Sequence, residues 1–224
     1  MNVIVGDSRS KGLGCGDLKG IVEVWCRPGT GLKESLNSIQ DHFILHHGGQ
    51  PIYTNETHYY IISGICDITQ MLKNKSPKYQ ETVYLENPSD TSSRIIPLLE
   101  DIHKDTINND CKPILCPIYP IDLESWNLIR LNQHKTSTLK YKDSYPDMQL
   151  ALEAAIAEIN RFILHLNKTA MVTTPMIHHS MLHNHRKGKK NWQYLRLVDG
   201  CHPGERMKHD IITSLYRAIK KNRL

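Results

Sequence analysis

The chain has 224 residues, 39% of them hydrophobic and 23% charged, with a formal net charge of +5. That length suits a single α/β domain over residues 1–224, large enough to bury a core without covalent staples, and the absence of repeats or low-complexity tracts excludes a solenoid or a disordered chain. No apolar run approaches the ~20 residues that cross a bilayer, so no membrane partner is expected.

Residues 2–5 form a short apolar run ended by Gly6, which predicts a buried strand. Residues 21–26 predict a second strand, closed by Pro28-Gly29, and Leu32, Leu36, Ile39 and Phe43 follow at helical spacing. A third strand is expected over 59–63, ending at Gly64. Pro88-Ser89-Asp90 then signals a helix start before Ile95, Ile96, Leu98, Leu99 and Ile102. Residues 113–118 predict a fourth strand whose prolines blur its ends. Residues 120–147 lack periodicity and read as a long surface excursion, a candidate lid. Leu152, Ile156, Ile159, Ile163 and Leu166 mark the strongest helix in the chain, and residues 170–173 read as a short fifth strand. Residues 178–190 are basic and His-rich and suggest an exposed loop. Pro203 suits the first turn of a last helix with the stripe Met207, Ile211, Ile212, Leu215 and Ile219.

Strands alternating with helices imply a parallel sheet covered on both faces, a three-layer α/β/α sandwich. Such sheets bind ligands at the carboxyl ends of their strands. Ser8, Gly29 and Gly64 each follow a predicted strand end, and Asp199 and His202 stand three apart just before the last helix. A nucleophile, a base and an orienting carboxylate are thus available for hydrolysis. Each also has a plainer role open to it: Ser8 as a helix cap, Asp199 and His202 as residues of a helix start, Asp67 as the cap of the turn that follows it, Cys66 as a small buried hydrophobe.

Gly6-Asp7-Ser8-Arg9-Ser10-Lys11-Gly12 resembles the first block of the GDSL/SGNH hydrolases, and Asp199-Gly200-Cys201-His202-Pro203 resembles their last, including the Gly after Asp and the Pro after His. Arg27-Pro28-Gly29-Thr30 and Ser63-Gly64-Ile65-Cys66-Asp67 are similar to the second and third blocks, in the family's order. The resemblance implies a flavodoxin-like fold with a five-stranded parallel sheet in the order 2-1-3-4-5. It also implies Ser8 as nucleophile, His202 as base and Asp199 as its orienting carboxylate, with oxyanion donors from the N–H groups of Ser8 and Gly29 and no cofactor. The third block departs from the family: Cys66 stands where an Asn side chain donates to the oxyanion. A thiol is a weak donor, and losing one such donor costs about 10²–10³ in rate.

Two functions follow as expectations. The first is a serine esterase or acyl hydrolase of a small ester, weakened at Cys66. The second is a silent module of the same fold that binds nucleic acid or a protein through its basic surface. Arg186, Lys187, Lys189 and Lys190 are the candidate phosphate contacts, although charge runs are often just solvated surface. Domains of this type also occur in proteins of some LINE-type retrotransposons, which handle RNA. His178, His179, His183 and His185 carry no interleaved Cys or acid, so no metal is expected there. The N-terminus enters a strand pattern without a leader, and Cys15, Cys26, Cys66, Cys111, Cys116 and Cys201 are scattered. Reduced thiols and a cytoplasmic or nuclear location are the matching expectations.

Overall fold

The computed structural model describes residues 1–47, 57–73, 80–83, 88–108, 111–134, 139, 141–184 and 190–223. Its centre is a four-stranded parallel sheet of β1 (Asn2–Gly6), β2 (Glu23–Cys26), β3 (His58–Ile62) and β6 (Lys112–Leu115), in the spatial order β2-β1-β3-β6. All five residues of β1 and of β3 are buried, as expected for strands covered on both faces. Alternation decides which way each side chain goes. Val3, Val5, Tyr59 and Ile61 pack with α1 (Leu32–His47), α3 (Pro88–Asn108) and α5 (Tyr145–Thr169). Ile4, Tyr60, Ile62 and Ile114 pack on the other face with α6 (Glu205–Asn222). The expected three layers are present.

The helical stripes read from the sequence are the ones that reach the core. Leu152, Ile156, Ile159 and Ile163 of α5 are buried, as are Met207, Ile211, Ile212, Leu215 and Ile219 of α6. Full burial of each such side chain is worth about 1.5–3 kcal/mol. Helix α6 begins only after the proline, at Glu205: Gly204 is its cap, and Pro203 instead bridges back to Leu197.

The expected fifth strand at 170–173 is absent, and the sheet has four strands among the described residues. Its place along β6 is taken by amide side chains. Leu115 N–H donates to Asn167 Oδ1 at 3.0 Å while Asn167 Nδ2 donates to the Leu115 carbonyl at 2.7 Å, and Asn160 pairs with Ile118 in the same way, at 2.7 Å both times. Two buried asparagines of α5 thus serve the outer edge as a strand would. The alternation of β6 explains its proline: Lys112 and Cys116 donate inward to β3, so residues 113 and 115 face outward, where Pro113 loses no ladder bond. Thr173, in the region read as a strand, has its backbone N–H and carbonyl bound by Asn222 of α6.

The described residues of 120–147, which are 120–134, 139 and 141–147, are not a surface excursion. They hold α4 (Leu123–His134) and the start of α5. Helix α4 escapes a periodicity search because Asn127 is one of its buried positions while Leu128 is exposed. Two antiparallel hairpins also went unread, β4 (Gln70–Lys73) with β5 (Gln80–Val83), and β7 (Leu182–Asn184) with β8 (Lys190–Trp192). The second corrects the exposed-loop reading of 178–190 at residues 178–184 and 190, while 185–189 lie outside the described residues. Ile177–Met181 form a 3-10 turn that buries Ile177, His178, Ser180 and Met181 before β7 begins. All six cysteines are free thiols, and no helix among the described residues is long and apolar enough to cross a membrane.

Candidate active site

Strand β1 ends at Gly6, where the chain passes so close to β3 that a Cβ would lie 2.2 Å from the Ile62 carbonyl oxygen. Only glycine fits that approach. Asp7 caps the tight turn Ser8–Ser10, its carboxylate accepting the Arg9 N–H at 2.9 Å, and Ser10 Oγ closes the turn onto the Asp7 carbonyl at 2.7 Å. The Arg9 side chain then folds back. Its Nε and Nη2 donate to both Asp7 oxygens, its Nη1 donates to the Tyr119 carbonyl at 3.1 Å, and its guanidinium lies 4.7 Å from the centre of the Tyr119 ring. Asp7 and Arg9 are 1% and 2% exposed. Burial opposes the Arg9 charge, but Asp7 more than compensates, so the guanidinium is held above its ordinary range. The turn that presents Ser8 is therefore bolted to the loop after β6 by a paired buried charge.

The second half of the site comes from the loop after the 3-10 turn Tyr194–Arg196. Asp199 Oδ1 accepts the N–H groups of Cys201 and His202 at 3.0 and 2.8 Å, and its Oδ2 accepts the His202 Nδ1–H at 2.6 Å. On the opposite side of the ring, Ser8 Oγ donates to His202 Nε2 at 2.8 Å. Ser8, His202 and Asp199, up to 194 positions apart in the chain, form one hydrogen-bonded line. Burial works against the Asp199 charge, but the three donors from Cys201 and His202 outweigh it and hold the carboxyl below its usual range. Gly200 adopts φ +80°, and a Cβ there would meet the Trp126 nitrogen at 2.6 Å. Its carbonyl accepts from Asp122 N–H at 2.7 Å, so the loop is docked on the start of α4.

Ser8, Gly29, Cys66 and His202 line one cavity of about 540 Å³, together with Ile65, Met71, Ile121 and Trp126. The resemblance expected Ser8, Gly29 and Cys66 around one oxyanion, and all three reach this cavity. Cys66 is exposed, which corrects its reading as a buried small hydrophobe. It lies in α2 (Ile65–Ile68), where desolvation by the surrounding walls, with Asp7 adding to it, pushes the thiol up to about 11. Asp67 does not cap the turn that follows it. Its carboxylate accepts Leu32 N–H at 2.8 Å and so caps α1, while Glu34 accepts Gly31 N–H at 2.9 Å. Burial raises the Asp67 pKa above its ordinary value.

Of the candidate phosphate contacts, Arg186, Lys187 and Lys189 lie outside the described residues, as does His185, and Lys190 opens β8. The rings of His178 and His179 meet at a tilt of 53° with centres 4.4 Å apart. No group of three or more His, Cys, Asp or Glu among the described residues is arranged to hold a metal. Sequence reading missed Arg9, Trp126 and Arg130. For Arg9 a signal existed, a charge immediately after the serine in a turn that the flanking strand had to bury.

No protein-family model matches the sequence, and no curated protein matches it. Solved structures do. A protein assigned as an acylhydrolase from Bacteroides fragilis is similar over 100% of this chain and 88% of its own, at 17% identity and a TM-score of 0.61. A GDSL-like lipase from Bacteroides thetaiotaomicron is similar over 98% of this chain and 87% of its own, at 15% identity and a TM-score of 0.59. The OSK domain of Drosophila Oskar is similar over 96% of this chain and 86% of its own, at 14% identity and a TM-score of 0.51. Identities this low speak to architecture, and function must be argued from the site. With its parallel sheet in the order β2-β1-β3-β6 and a serine turn at the end of β1, the chain has the fold of the GDSL-type SGNH hydrolases.

Proposed function

We propose that this protein hydrolyses a small ester through an acyl-enzyme at Ser8. The observation that supports this best is the unbroken line from Asp199 through His202 to Ser8, opening on a cavity at the carboxyl ends of the strands. Ser8 Oγ attacks the ester carbonyl carbon and passes its proton to His202 Nε2. Asp199 keeps the imidazole in the tautomer that can accept that proton and offsets the charge it acquires. Collapse of the tetrahedral intermediate breaks the bond to the alkoxy oxygen, which takes the proton from His202. Water then attacks the acyl carbon with His202 again as base, and the acid leaves as Ser8 recovers its proton. The N–H groups of Ser8 and Gly29 stabilise the oxyanion, and no step calls for a cofactor. Labelling by a fluorophosphonate probe tests this without assuming a substrate. Labelling that disappears in Ser8→Ala is the expected result, and a wild-type protein that stays unlabelled would sink the proposal.

One observation favours a second reading, a binding module that keeps the fold without the chemistry. Cys66 supplies a neutral thiol, a weak donor, where the family's Asn would stabilise the oxyanion. In that case the basic segment at Arg186, Lys187, Lys189 and Lys190, within a chain of net charge +5, is the contact surface for nucleic acid. Affinity for a random oligonucleotide that falls steeply with salt, in a protein that the probe does not label, would select this reading over the first.

A further inference from the structure

Helix α6 carries a surplus of positive charge that the site at Ser8 does not use. Its two acids are already matched, Glu205 by Lys208 at 2.8 Å and Asp210 by Arg196 at 2.5 Å. Arg206, Arg217 and Lys221 are exposed and have no ion pair or hydrogen bond among the described residues. They share one face of the helix with Thr213, at steps of seven, four and four residues, and span about 22 Å at 1.5 Å per residue. Helix stability explains only part of this row. Lys221 in the last turn complements the macrodipole, whereas Arg206 in the first turn opposes it.

Two hollows border that face. One, of about 1000 Å³, is lined by Trp192, Tyr194, Arg196 and Arg206 among others, and the second, of about 480 Å³, by Thr213, Ser214, Arg217 and Lys221. Arg196 joins them, because it lines the first and donates to the Ser180 carbonyl and the Asp210 carboxylate, whose residues line the second. The result is one trough along α6. Thr213 and Ser214 add hydroxyls with no hydrogen-bond partner among the described residues, and Trp192 and Tyr194 add half-buried aromatic side chains. A row of unmatched cations this long exceeds what a single phosphate needs and suits a chain of them. Aromatic surface beside such a row stacks bases, which a single strand offers and a duplex keeps covered. A bilayer surface, being flat, cannot enter a trough. The geometry points to a binding trough for single-stranded nucleic acid along α6. It uses other residues than the Ser8 cavity and the basic segment 186–190, and it holds whether or not Ser8 reacts.

Fluorescence anisotropy of a labelled oligouridylate of about twenty nucleotides, titrated with the whole chain over a range of salt, reads both affinity and the number of phosphates neutralised. Replacing Arg206, Arg217 and Lys221 together by Gln should weaken binding at least about tenfold at low salt. It should also make the slope of log K against log salt shallower by about two, since each phosphate contact on a single strand contributes about 0.7. All three side chains are exposed, and an unchanged thermal midpoint verifies the fold of the variant. Trp192→Leu should cost about tenfold with the slope unchanged, the mark of lost stacking rather than lost charge. A duplex of the same length should compete several-fold less well than the single strand, a readout that needs no variant. Absence of binding at low salt, or wild-type affinity and slope in the folded triple variant, would overturn the inference. So would binding that is lost only when Arg186, Lys187, Lys189 and Lys190 are replaced. Tighter binding to the duplex, or to phosphatidylserine vesicles, would overturn the choice of occupant. None of these outcomes touches the labelling of Ser8, so the hydrolase reading stands or falls separately.

Discussion

Two aspartate turns build this site from the same local chemistry and put it to opposite uses. Asp7 and Asp199 each accept a backbone N–H from the residue two positions on, and each sits beside a residue of the Ser8–His202 contact. At Asp7 both oxygens go to Arg9, and the pair is buried to 1% and 2% exposure. At Asp199 one oxygen holds the loop, the other holds the imidazole, and the carboxyl and ring stay 26% and 33% exposed. The buried turn fixes where the serine is. The half-open turn leaves the His202 imidazole within reach of both serine and solvent, as the proposed proton transfer requires. On the proposed mechanism, what separates the two carboxylates is the partner of the second oxygen, a guanidinium at Asp7 and an imidazole at Asp199.

Asp199→Asn separates the two uses most sharply. The amide presents its N–H to His202 Nδ1 and selects the tautomer that cannot accept the Ser8 proton, so kcat on an activated ester should fall by about 10⁴ while the fold persists. A loss below tenfold would mean that Asp199 does not orient the ring. At the other turn the damage should appear in stability. Arg9→Met leaves the Asp7 carboxylate buried without its cation and should cost about 3–5 kcal/mol in urea denaturation. Adding Asp7→Asn to Arg9→Met should recover much of that loss, and a single variant as stable as wild type would refute the bolted-turn account.

Cys66→Asn probes the oxyanion between the two turns. An amide on the cavity wall restores a preorganised donor, and turnover should rise by up to about 10²-fold if the side chain fits. Turnover that stays undetectable in both backgrounds would favour the binding reading. The smallest effect concerns acid stability. The folded-state pKa of Asp199 is depressed, so its stabilisation is present above its unfolded value, near 3.9, and is lost as the pH falls through the folded value. Wild type and Asp199→Asn should accordingly differ by under about 1 kcal/mol at neutral pH, since the group is partly exposed, and converge in strong acid. A difference that grows on acidification would contradict the direction of the shift.

Much of the frame was readable from residue order because its causes are local. The runs at β1, β3 and β6 are apolar since both faces of those strands are covered, and the stripes of α5 and α6 recur at the helical period since one side of each helix is buried. The Gly-Asp-Ser and Asp-Gly-Cys-His segments were legible for the same reason, as their hydrogen bonds close within two or three residues. Helix α4 was not legible, because it buries Asn127 and lends Trp126 and Arg130 to the cavity, breaking the apolar stripe on which a periodicity reading depends.

Residue order by itself determined the strand and helix alternation, the serine turn and the aspartate–histidine loop. Tertiary structure alone decided that β6 ends the sheet, since Asn160 and Asn167 satisfy its outer edge from a helix more than forty positions away in the chain. It also decided that Arg9 is spent on Asp7 and Tyr119, that Asp67 caps α1, and that Trp126 meets the His202 ring. The physical reason is the same in each case. A hydrogen bond within a turn is written in neighbouring residues, whereas burial and long-range pairing depend on which surfaces meet once the sheet has brought distant segments together.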